Sequence, residues 1–247
     1  MIHIIDMSIL QEIKSKVISE KWIESKSNGN GGVGITLEYL LQKEKENFEL
    51  PDYKGIELKA KCSKRESHIT LFSAVPDSYL FEIKRLLQEY GYPDNKYPEF
   101  KIFNLAVYGH KRIKLNNHYF KLYVDWQNKK VILCVYDKSL NIIDQLTSWS
   151  FELLQEKLER KLSLLALVHA ERKFQHNKVY FKYTNIAFYR LNSFERFLLL
   201  IDNGIIKITF RIGVYKDEKR FGQIYDHGTC FSIDKNDISK LFDEIEL

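Results

Sequence analysis

The stretch Pro51-Asp52-Tyr53-Lys54-Gly55-Ile56-Glu57-Leu58-Lys59-Ala60-Lys61 decides the reading of this chain. From Gly55 to Lys61 it reads as a strand. Residues two apart on a strand share a face, so Glu57 and Lys59 point the same way and Leu58 points to the other side. Pro51-Asp52 forms a turn entering that strand, from which Asp52 can fold back beside Glu57. Two such carboxylates bind Mg²⁺, a hard cation that keeps several of its waters. The metal lowers the pKa of a bound water and neutralises charge on a phosphate in flight. Lys59 can orient the attacking water and stabilise the pentavalent phosphorus. The same Glu-x-Lys pattern also occurs as a solvated pair on surface strands, and the motif alone leaves both readings open.

Just upstream runs Gly29-Asn30-Gly31-Gly32-Val33-Gly34-Ile35-Thr36-Leu37-Glu38. Its glycines fit G-x-G-x-x-G, but a dinucleotide fingerprint needs a strand before the first glycine, and Lys21 to Asn28 is polar and flanks a helix. There is no Gly-Lys-Ser/Thr, so a P-loop is excluded. A glycine loop opening a helix remains a seat for a phosphate, which makes Gly31 and Gly32 candidate contacts to a nucleic-acid backbone. Glu38 is either a third carboxylate reaching the metal site or an ordinary helix-face glutamate.

Composition sets the bounds. The chain has 247 residues, with 38 Lys plus Arg against 33 Asp plus Glu, 45% hydrophobic residues and 29% charged residues. These proportions exclude the disordered class. Cys62, Cys134 and Cys230 are widely spaced and odd in number, which argues against a disulfide framework or a zinc half-site and for reduced thiols in the cytoplasm. Met1 to Leu10 lacks the basic leader of a signal peptide, and the longest apolar run, Leu162 to Ala170, is far short of the ~20 residues that span a bilayer. The basic excess is regional. Residues 101–130 carry Lys101, Lys111, Arg112, Lys114, Lys121, Lys129 and Lys130 against Asp125 alone, an electrostatic footprint suited to nucleic acid.

Periodicity predicts helices over Asp6–Glu20, Ile35–Glu46, Tyr79–Tyr90, Ser150–Lys161, Ser193–Ile201 and Lys235–Phe242. Strands are expected at Gly55–Lys61, His68–Phe72, Leu105–Tyr108, His118–Asp125, Val131–Tyr136, Leu165–Phe174, Lys178–Tyr189, Ile205–Tyr215 and Thr229–Ile233, with turns at Asn116-Asn117 and His176-Asn177. Helices and strands mix without a strict β-α-β rhythm, so the fold class is α+β (mixed α/β).

Four motifs in order, Gly31 to Glu38, Pro51 to Lys59, Arg211-Ile212-Gly213-Val214-Tyr215 and Asp226-His227-Gly228-Thr229, resemble the MvaI/BcnI family of type II restriction endonucleases, within the PD-(D/E)xK nuclease superfamily. Trp149-Ser150-Phe151 before a Leu-rich helix is also similar, and the core resembles the mismatch-repair nicking enzyme MutH. The resemblance runs over nearly the whole chain. It implies that Asp52, Glu57 and Lys59 are the catalytic triad, that Glu38 is the upstream active-site glutamate, and that Mg²⁺ is the cofactor. It implies one restriction-endonuclease-like unit over 1–247, with catalytic-lobe elements at about 1–100 and the remaining sheet and a DNA-recognition lobe at 101–247, the lobes flanking a DNA cleft. The expected activity is site-specific hydrolysis of double-stranded DNA by a monomer at a CCNGG-type site, CCWGG as first expectation. A cognate DNA methyltransferase is expected in the same system. A MutH-like strand-nicking repair enzyme and a non-catalytic DNA-binding module are the alternatives.

The C-terminal residues fit this reading. Arg211 can donate two hydrogen bonds to guanine, and Asp226 can accept from cytosine N4. His227 can do either, depending on its tautomer. Tyr215 lies in the same motif, and Lys219 and Arg220, with Lys216, sit in a loop suited to phosphate contact. A salt-bridged Arg211 and an ordinary loop His227 are the bland counterparts. Thr209 and Ser232 stand where the family's MvaI-type readers carry an acidic residue and an arginine, which bears on the target but not on the catalytic residues.

Overall fold

A computed structural model describes residues 6–27, 29, 31–41, 51–62, 68–226 and 229–247. The chain divides into two compact units. The first comprises Met1–Ile69, Leu158–Asn192 and Ile238–Leu247, and the second Thr70–Lys157 and Ser193–Asp237. Each unit is assembled from separated segments, so the division does not follow a single boundary near residue 100. Among the described residues no helix is long and apolar enough to cross a membrane.

In the first unit, α1 (Met7–Val17) starts where Asp6 accepts the Ser8 N–H, and it buries Leu10, Ile13 and Val17 at helical spacing. α2 (Gly32–Leu40) begins inside the glycine run, three residues earlier than its apolar pattern suggests. Both helices share a core with one face of a five-stranded sheet. The strands are β1 (Ile23–Glu24), β2 (Glu57–Cys62), β11 (Leu164–Gln175), β12 (Lys178–Leu191) and β16 (Phe242–Ile245). The order is β1-β12-β11-β2, with β16 also on β12. β11 and β12 form a long antiparallel hairpin, and His176 and Asn177 at its tip both have positive φ (50° and 59°), as a two-residue type I′ turn requires. β2 runs parallel to β11, with Glu57 opposite Leu165 and Lys59 opposite Leu167.

The second unit holds two sheets. One orders β3 (His68–Ser73), β15 (Cys230–Asp234), β13 (Ile206–Val214), β5 (Lys101–Val107) and β4 (Tyr92–Pro93), with β14 (Ile224–Asp226) on β13. The other orders β10 (Ser148–Ser150), β8 (Lys130–Tyr136), β7 (His118–Asp125) and β6 (Ile113–Leu115), with β9 (Ile142–Asp144) on β8. α3 (Tyr79–Tyr90) packs on β5 and β13, and α5 (Phe194–Asp202), capped by Ser193, packs on β7 and β13. Trp149, Phe103, Phe120, Phe197, Phe210 and Phe231 fill its interior in edge-on and tilted ring contacts. α4 (Phe151–Leu162) presents Leu154, Leu158 and Leu162 as its buried stripe.

One local expectation differs from what is observed. Lys235–Lys240 is a short 3₁₀ turn, and the chain then enters β16. Leu241 and Phe242 are buried, and Phe242 pairs with Leu191, so sheet pairing ends the helical segment before an α-helix can form. The tail of the Ile35–Glu46 helix beyond Leu41 lies outside the described residues.

Candidate active site

A tight turn assembles the motif. Tyr53 and Ile56 form an antiparallel bridge, with Tyr53 N–H to Ile56 O at 3.0 Å and Ile56 N–H to Tyr53 O at 2.9 Å. Between them Lys54 (φ 48°) and Gly55 (φ 81°) both take the left-handed backbone. Gly55 does so without steric cost. Lys54 is secured by an ion pair from its Nζ to Glu12 Oε2 on α1 at 2.7 Å. The chain doubles back, so Asp52 and Glu57 become the next opposed pair. Asp52 Oδ2 then accepts the Leu58 N–H at 2.9 Å, which fixes the carboxylate at the mouth of β2.

Alternation on β2 sends Leu58 into the core shared with α1 and α2, and Glu57 with Lys59 to the opposite face. Glu57 is only 1% exposed. Its Oε1 accepts from Lys59 Nζ at 2.5 Å and lies 3.5 Å from Lys161 Nζ on α4. Its Oε2 is buried without a hydrogen-bond partner among the described residues. Burial pushes the Glu57 carboxyl above its ordinary range. Lys59 and Lys161 pull it back, and the neighbouring Asp52 charge pushes it up further. Lys161 escaped the sequence reading. It lies more than 100 positions from Glu57 on a helix whose pattern reports only its leucine stripe, and no local signal ties it to the motif.

An unpartnered, buried carboxylate oxygen beside a second carboxylate fits a hard divalent cation, since both donors are oxygen. Asp52 and Glu57 are the residues that would hold one. Among the described residues no group of three or more His, Cys, Asp or Glu side chains is gathered around a metal-sized point, so Glu38 does not complete a three-carboxylate cluster with them. Glu38 is half-buried on α2, the helix that packs against β2.

The glycine run is shaped by packing. A Cβ on Gly32 would sit 2.7 Å from Ser25 Oγ and 3.0 Å from Ser27 O, so only glycine lets the first turn of α2 close on that loop. Gly31 precedes the helix and its carbonyl accepts from Gly34 and Ile35. Thr36, fully buried, accepts the Lys26 N–H at 3.0 Å and ties loop to helix.

The expected reading residues all belong to the second unit. Arg211 is exposed on β13, opposite Asn104 of β5, and its guanidinium donates to Cys230 Sγ at 3.0 Å. Asp226 ends β14, opposite Ile212, and accepts from Thr229 Oγ1 at 3.1 Å. Tyr215 packs against Tyr225 with ring centroids 4.8 Å apart, and the Arg220 guanidinium lies 3.8 Å over its ring. Arg220 also pairs with Asp217 at 2.9 Å, and Lys216 pairs with Asp94, whereas Lys219 is exposed at the same loop. His227 lies outside the described residues.

A model of the MvaI/BcnI restriction endonuclease family matches residues 10–242. Among solved structures, the chain is similar to restriction endonuclease MvaI in complex with its cognate DNA substrate, with 33% identity and a TM-score of 0.86 over 97% of each chain. It is also similar to MvaI in the absence of DNA, with 32% identity and a TM-score of 0.65 over 97% of this chain and 96% of the other. No curated protein matches.

Proposed function

This chain belongs to the MvaI/BcnI restriction endonuclease family, type II site-specific deoxyribonucleases, and on that footing we propose that it cuts double-stranded DNA as a monomer at a CCNGG-type site, CCWGG first, with Mg²⁺. The observation that carries the catalytic assignment is Glu57, a buried carboxylate with two lysines on one oxygen and, among the described residues, none on the other, beside Asp52. Bound there, Mg²⁺ would supply an acidified water and a counter-charge for the phosphate. Asp52, fixed by the Leu58 N–H, and Glu57 Oε2 are the groups that would hold it. Lys59 orients the attacking water and meets the charge that develops on the phosphate oxygens. Lys161 shares the Glu57 carboxylate and keeps it ionised in its buried setting. Attack in line with the leaving 3′-oxygen breaks the P–O3′ bond and leaves a 5′-phosphate and a 3′-hydroxyl. Glu38, on the helix that packs against β2, is a supporting acid outside the Asp52–Glu57 pair.

In this reading the first unit cuts and much of the second reads. Arg211, Asp226 and His227 contact G·C edges, Lys219 meets phosphate, and Tyr215 with its stacked Arg220 lines that surface. Gly31, exposed at the start of α2, brings backbone near the DNA strand, and Gly32, whose N–H donates to Gly29 O at 3.0 Å, shapes the loop that does so. A cognate methyltransferase protects the host site in the cytoplasm. The test is purified protein with plasmid DNA in Mg²⁺, an EDTA control, and sequencing of the ends. Uniform ends within one CCNGG-type motif are expected. Retarded DNA that is never cut would make the chain a binding module, and nicks that require added proteins would make it a repair enzyme.

A further inference from the structure

The sheet face that carries Glu57 and Lys59 continues well beyond them. Ala166, Val168 and Ala170 of β11 and Phe181 and Tyr183 of β12 face the helices. The alternate residues, Leu167, His169, Glu171 and Lys173, therefore lie on the Lys59 side. Lys59 stands opposite Leu167 and Lys61 opposite His169. Further out, Glu171 pairs with Lys182, Lys173 with Tyr180, and Gln175 with Lys178. The 3.4 Å Lys182–Glu171 contact shows that these positions share one face.

From Glu171 to Lys182 this two-stranded ribbon carries Arg172, Lys173, Lys178 and Lys182 against one acid. Lys178 pairs with Glu24 at 2.9 Å, and Lys182 pairs with Glu171 and with Glu20 at 3.5 Å. The three acids are largely exposed, and such pairs are worth at most about 1 kcal/mol, so a phosphate displaces them readily. Lys173 is held differently. Its Nζ lies 4.5 Å from the Trp22 ring centroid and 5.5 Å from that of Tyr180, and among the described residues it pairs with no carboxylate. Its charge is positioned by aromatic rings and left unneutralised.

Resting on the endonuclease reading, we propose that the Lys173–Lys178 face of the β11–β12 ribbon is a phosphate-contact surface for duplex DNA flanking the target site. Lys59 aligns with Leu167, and Lys173 lies six residues further along β11, at most roughly 20 Å at ~3.3 Å per residue. That is the rise of about six base pairs at ~3.4 Å per step, which reaches past a short recognition sequence into its flank.

The experiment measures equilibrium binding of the full chain to long and trimmed duplexes, in Ca²⁺ or EDTA, across a salt series. Replacing both lysines (Lys173→Ala with Lys178→Ala) should weaken binding to a duplex with ten-base-pair flanks, alike for cognate and scrambled sites. The slope of log affinity against log salt should fall by about two, one for each lysine that no longer meets a phosphate. Trimming the flanks to two base pairs should bring wild type down to the double variant. Lys173→Arg with Lys178→Arg should retain wild-type binding, since charge and stacking survive. Unchanged affinity and slope in the double-alanine protein, or a loss of equal size on the trimmed duplex, would overturn the ribbon contact. A wild type that neither binds nor cuts any duplex would instead remove the endonuclease reading.

Discussion

Each unit buries a cluster of charge, and the two clusters are built in opposite ways. In the second unit Arg85 is 8% exposed and joins Glu82, Asp144, Thr147 and Tyr90. Its terminal nitrogens bond to Asp144, to Glu82 at 3.1 Å and to Thr147 Oγ1 at 3.1 Å. Thr147 Oγ1 donates to Glu82 at 2.6 Å, and Tyr90 donates to Asp144 at 2.8 Å. Burial opposes the Arg85 cation, but hydrogen bonds to Asp144 and Glu82 outweigh it and hold the guanidinium above its ordinary range. Within this cluster only Arg85 Nε lacks a partner among the described residues. In the first unit Glu57 is buried too, yet both lysines sit on one oxygen and the other meets no partner among the described residues. A cluster that nearly satisfies itself is a structural device. One that leaves an anion open forgoes stability, as the proposed metal site requires.

The contrast predicts where mutations act. The largest effect is expected on turnover. Asp52→Ala and Lys59→Ala should each lower single-turnover cleavage by on the order of 10³-fold while circular dichroism and DNA retardation stay close to wild type. Cleavage by Lys59→Ala at the wild-type rate would dissolve the difference between the clusters. Arg85→Ala is the counterpart. It strands Glu82 and Asp144 in a buried setting and should cost about 3–5 kcal/mol in urea unfolding, with cleavage per folded molecule kept.

Glu57→Gln sharpens the comparison because it separates stability from function. Removing an incompletely compensated buried charge should leave the thermal midpoint unchanged or higher, by roughly 1 kcal/mol of stability, while cleavage is lost. Lys59 and Lys161, each with about a fifth of the side chain exposed, can turn to solvent when that charge goes. A marked loss of stability in this variant would place Glu57 with the Arg85 network as a structural ion. The smallest effect is expected for Lys161→Ala. It should raise the Mg²⁺ concentration for half-maximal rate by about tenfold, as for loss of a group supporting a metal ligand, and Lys161→Arg should restore it. An unchanged Mg²⁺ dependence would show that the Lys161–Glu57 contact is incidental.

Much of this was legible in the chain because the signals are local. The helix at Tyr79–Tyr90 and the strand at His118–Asp125 fall where their patterns place them. Asp6 and Ser193 cap their helices as their residue types favour, and His176-Asn177 turns the hairpin. The glycine run was harder to read. A phosphate seat and a close-packed loop call for the same residues, and only the Gly32 contacts with Ser25 and Ser27 reveal the packing. The final segment misled because a buried Leu241-Phe242 suits a helix face and a strand equally, and pairing to β12 decided between them.

By itself the sequence determined the local geometry of one short stretch. It set Asp52 in a turn, Glu57 and Lys59 on a shared face, and Leu58 on the other, because strand alternation and the left-handed preference of Gly55 act over a few residues. Only the tertiary structure decided that β2 lies parallel to β11, a hundred positions away, that α4 sets Lys161 on the Glu57 carboxylate, and that the same face runs on to Lys173. Those outcomes depend on long-range pairing and on the burial of the leucines of α4. The hydrophobic pattern specifies that such faces must be covered, and it leaves open which distant segment covers each one.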